Sequence, residues 1–320
     1  MPPDVLTLGE TMVLMNPTES GPMKYLTDFK KQLGGAESNV AIGLSRLGHD
    51  AAWVSALGDD PHGRYIESFV RGEGVDVSAV RFDPERPTGL MFKERAAFGE
   101  TSVYYYRHGS AASAMRPADL PRGAIADAEY LHLTGITPAL SESCRETVTA
   151  VIEVATEAEV PVTFDPNLRR KLWNSTDEMR SVLFDLIAES EVVFPGIDEG
   201  DDLFGTADPA EIAAECLDLG AEIAVVTRGE EGAYVADAAG TVRREVPPYG
   251  IERVVDPIGA GDGFVAGFLA GRLDGLDLVE SARRACAVGA FVTTVPGDVE
   301  ALPTPEDLDV FAGTEDAVTR

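Results

Sequence analysis

Lysine is nearly absent from this chain. Five of its 26 basic residues are Lys and 21 are Arg, set against 55 carboxylates for a formal net charge of −29. Such a charge argues against nucleic acid or an anionic membrane as partner, because both would be repelled. Cysteine is scarce too: Cys144, Cys216 and Cys286 are too few and too scattered for a disulfide framework or a zinc cluster. Their apolar, helix-like surroundings predict free buried thiols in a reducing cytosol. The four histidines, His49, His62, His108 and His132, show no metal-ligand spacing. No Gly-x-x-x-x-Gly-Lys-Ser/Thr exists, so this is not a P-loop enzyme, and no Gly-x-Gly-x-x-Gly supports a dinucleotide site. A basic and apolar leader is missing, as is any apolar run long enough to span a bilayer, so a soluble, cytoplasmic protein is expected.

At 320 residues and 34.0 kDa the chain has length for one large α/β domain or two ordinary ones. Short apolar segments alternate with helical patterns, the mark of βαβ units and a parallel sheet. The expected sheet strands are Val5–Leu8, Ala52–Ala56, Tyr130–Leu133, Val162–Phe164, Val192–Phe194 and Ile223–Thr227. Asp208-Pro-Ala-Glu211 and Ser175-Thr-Asp-Glu178 read as helix starts. Two regions, Met12 to Leu33 and Thr88 to Arg107, are strand-like without an intervening helix, with Gly99-Glu100 as a hairpin turn. From Leu302 to Arg320 a short acidic helix and a frayed tail are expected.

The run from Asp256 to Phe264, Asp-Pro-Ile-Gly-Ala-Gly-Asp-Gly-Phe, joins a flexible turn, a helix start and a carboxylate. Gly259, Ala260 and Gly261 are small enough for their N–H groups to close around an anion at the positive end of the following helix. Asp262, in the first turn of that helix, is placed to accept a proton from an attacking hydroxyl. An ordinary strand-to-helix turn with a capping Asp is the plainer alternative. A second close-approach site is Gly34-Gly-Ala-Glu-Ser-Asn-Val-Ala41, which opens the helix Ile42–Leu47 that stops at Gly48.

Taken with Asp165-Pro-Asn-Leu-Arg169 and the segment Val225–Gly232, these stretches resemble the PfkB or ribokinase family of carbohydrate kinases over nearly the whole chain. The Gly-Ala-Gly-Asp region is a highly specific signature of that family. Tyr104-Tyr-Tyr-Arg107 followed by Gly109-Ser-Ala-Ala-Ser113 resembles the 2-keto-3-deoxygluconate kinases within it. On residues alone, Tyr105, Tyr106 and Arg107 are also an aromatic strand with a snorkelling Arg. The resemblance implies a ribokinase-like, three-layer α/β fold with a mostly parallel central sheet and a small β-sheet lid. It implies one kinase domain over 1–320, with lid segments at about 12–33 and 88–107.

The resemblance also implies roles. Asp262 is the catalytic base, and Gly259, Ala260 and Gly261 form the anion hole. A sugar acid is implied to meet Gly34, Gly35, Ala36, Glu37, Ser38, Asn39, Tyr105, Tyr106, Arg107, Arg169, Asp262 and Asp298. ATP is implied to meet Asn167, Arg169, Thr227, Arg228, Gly229, Gly232, Cys286 and the 259–262 loop. The expected product is 2-keto-3-deoxy-6-phosphogluconate, in an Entner–Doudoroff-type pathway, from a homo-oligomeric enzyme. Magnesium is the expected metal, served indirectly by Glu199, although Gly196 stands where the family carries Asn. Met91 departs from a common family Tyr. A neutral-sugar kinase, and a catalytically silent sugar-binding protein of the same fold, remain the alternatives.

Many carboxylates with little Lys point to a cytoplasm of high salt, where screening over a few Å removes most self-repulsion. Thermal melting in a KCl series should therefore give midpoints that climb toward molar salt. A flat or falling midpoint would end the halophile reading.

Overall fold

The computed structural model describes residues 2–95, 102–251 and 253–311. The expected turn at Gly99-Glu100 and the tail beyond 311 lie outside the described residues. The strands are β1 (Val5–Leu8), β2 (Met12–Pro17), β3 (Phe29–Gly34), β4 (Ala51–Gly58), β5 (Val80–Asp83), β6 (Leu90–Glu94) and β7 (Ser102–Tyr106). They continue as β8 (Tyr130–Thr134), β9 (Val162–Asp165), β10 (Val192–Val193), β11 (Ile223–Thr227), β12 (Ala233–Asp237) and β13 (Arg243–Val246).

Nine of them make one sheet in the order β13-β12-β11-β10-β9-β8-β1-β4-β5. Every pairing from β11 across to β5 is parallel, and only the β11–β12 and β12–β13 pairings are antiparallel, so β12 alone runs against the rest. All six strands expected from the sequence lie in this sheet. Three others, β5, β12 and β13, were not anticipated, and two of these are edge strands. The Arg-Arg-Glu of β13 is exposed and β5 is only half-buried, so neither shows the apolar run of a central strand.

Alternate residues of the central strands feed two cores. Val5, Trp53 and Val225 pack on one face under the helices Ala36–Arg46, Pro61–Gly72, Ala260–Leu273 and Leu278–Val292. Leu6, Leu8 and Val54 pack on the other face under Glu142–Glu157, Thr176–Ala188, Ile197–Phe204 and Pro209–Leu219. This is the expected three-layer α/β arrangement. The three cysteines are free and buried. Asp208 accepts the N–H of Ala210 at 2.8 Å, and Ser175 accepts that of Glu178 at 3.1 Å, as expected of helix caps. Among the described residues no helix is long and apolar enough to cross a membrane.

A second, four-stranded sheet has the order β3-β2-β6-β7. It is built from the two segments that break the β/α alternation, with β2 parallel to β6 and the outer pairs antiparallel. One boundary differs from expectation. The helix read as Ile42–Leu47 begins at Ala36, so Glu37, Ser38 and Asn39 lie in its first turn and point in different directions.

Helix Ala260–Leu273 carries Gly263, Gly267 and Gly271 at four-residue spacing, on the face turned to helix Leu278–Val292. A Cβ on Gly267 would come within 2.8 Å of Val288 Cγ2 and 3.0 Å of Ala285 Cα. Gly267→Val is expected to destabilise the fold by roughly 1–3 kcal/mol through overpacking. Gly72, exposed at a helix end with open space around it, is the control: Gly72→Ala should be neutral or stabilising by up to about 1 kcal/mol. Equal melting shifts for the two variants would remove the packing role from the stripe.

Candidate active site

The carboxyl ends of β1, β9, β10 and β11 open into one cleft, the edge at which parallel α/β sheets bind ligands. A cavity of about 660 Å³ is lined by Glu10 beyond β1, Asp165 at the end of β9, Gly196 beyond β10 and Thr227 at the end of β11. A second cavity of about 680 Å³ is lined by Gly232, Tyr249, Phe264, Cys286 and Gly289. Thr227, Gly229, Pro257 and Gly261 line both, so the two cavities meet at the glycine loop. Cys286 gives the second cavity a neutral apolar wall, since burial pushes its thiol pKa up to about 11.

Gly259 caps the helix Ala260–Leu273 at φ +84°, and a Cβ there would lie 2.4 Å from the backbone oxygen of Asp298. Only glycine satisfies both the left-handed conformation and that contact. The loop thereby presents the free N–H groups of the helix start to the cleft. Asp262, one residue past Gly261, accepts a hydrogen bond from Asn39 Nδ2 at 2.7 Å. Enclosure by protein pushes the Asp262 pKa up to about 7. The Asn39 bond and the Arg169 charge oppose the rise, and the carboxylates of Asp298 and Glu37 add to it.

The Gly34-to-Asn39 segment divides. Gly34, Gly35, Ala36 and Asn39 line the first cavity, whereas Glu37 and Ser38 do not. Glu37 turns into the core, where it accepts hydrogen bonds from Thr134 at 2.7 Å and Thr137 at 2.9 Å. Ser38 Oγ bonds Thr11 and the Gly35 carbonyl. The expectation that these two contact substrate is therefore corrected: the helix rotates them away. Tyr106 is corrected for the matching reason on a strand. Tyr105 lines the cavity, while Tyr104 and Tyr106 project from the opposite face of β7 into a groove with Phe29 and Phe92.

Arg107 lines the cavity but does not offer a free fork. Its Nε donates to Glu10 Oε2 at 2.6 Å, its Nη2 pairs with the same oxygen, and Ser110 Oγ donates to Glu10 Oε1. Asp298 also faces the cavity and is paired, through Lys93 Nζ at 2.8 Å. Burial raises the Asp298 pKa, and Lys93 opposes that rise. Asn167, Arg169, Thr227, Arg228 and Gly229 line the first cavity; Thr227, Gly229, Gly232, Ala260 and Cys286 line the second.

Asp165, Asp198 and Glu199 share the first cavity. The Asp165 pKa lies well above the carboxylate range because of burial and the charges of Glu199 and Asp262. Burial also raises Glu199, against the N–H bonds it accepts from Gly196 at 2.9 Å and Leu168 at 2.7 Å. A cation would relieve this crowding. Among the described residues, however, no three His, Cys, Asp or Glu side chains form a metal-holding group. The set thus fits a hard cation that takes most ligands from phosphate and water. Gly196 has φ −86°, and a Cβ there would meet only ordinary contacts, the nearest Thr227 Oγ1 at 3.4 Å.

Residues 2–305 match the pfkB family carbohydrate kinase profile. The chain belongs to the PfkB family of carbohydrate kinases. It is 40% identical over 316 residues to a 2-dehydro-3-deoxygluconokinase of Bacillus subtilis, covering 98% of this chain and 97% of that one. It is 36% identical over 328 residues to a 2-dehydro-3-deoxygalactonokinase of Haloferax volcanii, covering both chains fully at 100%. A solved PfkB protein from Polaromonas superposes with a TM-score of 0.86 at 37% identity, covering 98% of this chain and 100% of the other. A sugar kinase of Pyrococcus horikoshii solved with ATP gives 0.83 at 29%, covering 95% and 97%.

Among the charged residues that line this PfkB kinase's cleft, Glu10, Lys93 and Asp165 had no role assigned from sequence. Glu10 follows β1 at the carboxyl edge, which was the available signal. Lys93 shares the cavity-facing side of β6 with Met91 by simple alternation, and its scarcity in the chain was the second signal.

If Asp262 acts as a base, kcat/KM should rise with pH through about 7, because only the ionised carboxylate accepts a proton. Asn39→Ala removes a bond that favours the ionised form, so the acid limb should move to higher pH. A limb that stays in place in a folded Asn39→Ala enzyme would detach the profile from Asp262.

Proposed function

We propose that this kinase transfers the γ-phosphoryl group of ATP to the terminal hydroxyl of 2-keto-3-deoxygluconate, giving 2-keto-3-deoxy-6-phosphogluconate. The observation that carries the reading is the position of Asp262 in the first cavity, beside Gly261 where the two cavities meet, with Tyr105, Arg107, Arg169 and Asp298 around the first cavity. The relative named for 2-dehydro-3-deoxygluconate, the same compound, supports the substrate. The Pyrococcus kinase solved with ATP supports the nucleotide.

On this reading the nucleotide base and ribose occupy the second cavity, between the 227–232 segment and Cys286, and the sugar acid occupies the first. Asp262 accepts the proton of the attacking hydroxyl as its oxygen bonds to the γ-phosphorus and the bond to ADP breaks. In a loose transition state the proton leaves late, so a base of pKa about 7 suffices. The amides from Gly259 to Asp262, with Arg169, face the charge on the moving group. Magnesium, when bound with the phosphates, would offset their charge; Asp165, Asp198 and Glu199 are the carboxylates near enough to the cleft to hold it, directly or through water. The sheet of β2, β3, β6 and β7 acts as a lid that keeps water from the phosphoryl group. The product would feed an aldol cleavage of the Entner–Doudoroff type.

One observation favours a second reading, a neutral sugar: Glu10 already neutralises Arg107. A coupled ATP assay in molar KCl should separate the two. It would run over both 2-keto-3-deoxy acid epimers, fructose and ribose, with product masses determined. Asp262→Asn should lower kcat by roughly 10²–10⁴-fold. Arg107→Ala should depress kcat/KM for the acid about ten- to a hundredfold more than for any neutral sugar turned over, the scale of one charge-assisted bond. Equal losses, or a wild-type preference for fructose or ribose, would replace the acid with a neutral substrate.

A further inference from the structure

Lys93 is the least expected residue of the cleft. It is 1% exposed, in a chain with five lysines, and lies on β6 with its side chain toward the first cavity. Its Nζ is 2.8 Å from Asp298 Oδ1 and 3.6 Å from Asp256 Oδ2. These carboxylates support the glycine loop from two sides. Asp256 begins the loop and accepts the Ile258 N–H at 3.2 Å. Asp298 lies across it, with its backbone carbonyl against Gly259 and its Oδ2 so close to Gly34 that a Cβ there would come within 2.5 Å. One ammonium group therefore joins the small sheet to both supports of the loop. Apolar residues of similar volume commonly match or exceed a buried ion pair in stability, so stability is a weak reason for this one.

We propose that Lys93 is a positioning residue for phosphoryl transfer, latching the small sheet to Asp256 and Asp298 so that closing over the sugar and shaping the glycine loop are one event. The inference rests on the reading that Asp262 and the 259–261 loop carry the transfer. When the sheet lifts, Lys93 leaves, and Asp256 and Asp298 face one another without the intervening cation. The loop then loses the shape that directs its amides at the phosphoryl group. Water admitted by opening thus meets a loop not set for transfer, and ATP hydrolysis in place of sugar phosphorylation is suppressed.

The test uses Lys93→Met, Asp256→Asn and the double variant of the full enzyme, with Asp262→Asn as reference, on the sugar the wild type phosphorylates best. Two rates are followed, sugar phosphate formed and inorganic phosphate released. Lys93→Met should lower kcat for sugar phosphorylation by roughly 10–100-fold, leave KM for ATP within about threefold, and raise the fraction of ATP lost to water several-fold. Asp256→Asn should move the same quantities in the same direction. The double variant should be little worse than the poorer single one, because both remove one link. Unchanged kcat and product ratio in Lys93→Met, even with a lowered melting point, would make the ion pair merely structural and overturn the proposal. Losses that multiply in the double variant would overturn it as well. If Lys93→Met does not fold, the product ratio of Asp256→Asn decides. Full activity in Asp262→Asn would instead sink the underlying site assignment, a result distinguishable from any of these.

Discussion

The contact between Gly259 and the backbone of Asp298 is the constraint on which the cleft depends. Two loops distant in sequence meet there at a distance that admits no side chain, and the left-handed backbone of Gly259 turns the chain directly into a helix. That turn aims the free N–H groups, sets Asp262 against Asn39 and brings the Asp298 carboxylate under Lys93. The same helix is then held along its length by Gly263, Gly267 and Gly271 against its neighbour. Site geometry and helix packing are thus one requirement for small residues, running from Gly259 to Gly271.

Charge in the cleft is unbalanced. Glu10, Asp165, Asp198, Glu199, Asp262 and Asp298 all line the first cavity, against Lys93, Arg107, Arg169 and Arg228. Lys93 is committed to Asp298, Arg107 to Glu10 and Arg228 to Glu231. Burial, compounded by neighbouring negative charge, therefore holds Asp165 and Asp262 above the ordinary carboxylate range. A polyphosphate entering such a site alone would add repulsion to repulsion. On the proposed reading, the divalent cation accompanying ATP is consequently a condition of binding as much as an aid to the chemical step.

What was legible in the sequence was whatever depended on local pattern. The apolar strands Val5–Leu8 and Ile223–Thr227 and the glycine turn before Phe264 announce themselves, because burial on both faces and small-residue turns leave marks within a few residues. Tyr106 and Glu37 were misplaced although their segments were found. Neighbouring residues on a strand or helix point to different sides, and the phase of that rotation is fixed by packing partners far away in sequence. Glu10 and Lys93 were missed for a related reason. Their local signals mark a position at an edge or on a strand face, but the charges that give them a role, Arg107 for one and Asp256 and Asp298 for the other, stand in other parts of the chain.

On the proposed reading, the pairing of Arg107 with Glu10 alters what acid recognition means in this cleft. A free guanidinium would offer a ligand carboxylate its full charge, but would first have to be ordered, at the cost of side-chain freedom. Here the ordering is already complete: Nε and Nη2 are held by Glu10, Glu10 is held by Ser110, and the planar group lies 5.7 Å from the centre of the Tyr105 ring. The ligand gains less Coulomb energy and loses less entropy. Selectivity then comes from geometry, because a group displaced from the remaining edge of the guanidinium finds a neutralised pair and little reason to stay. On the proposed reading, an acid of the right shape is then favoured over a merely negative one, in a cleft that also admits a polyanionic nucleotide.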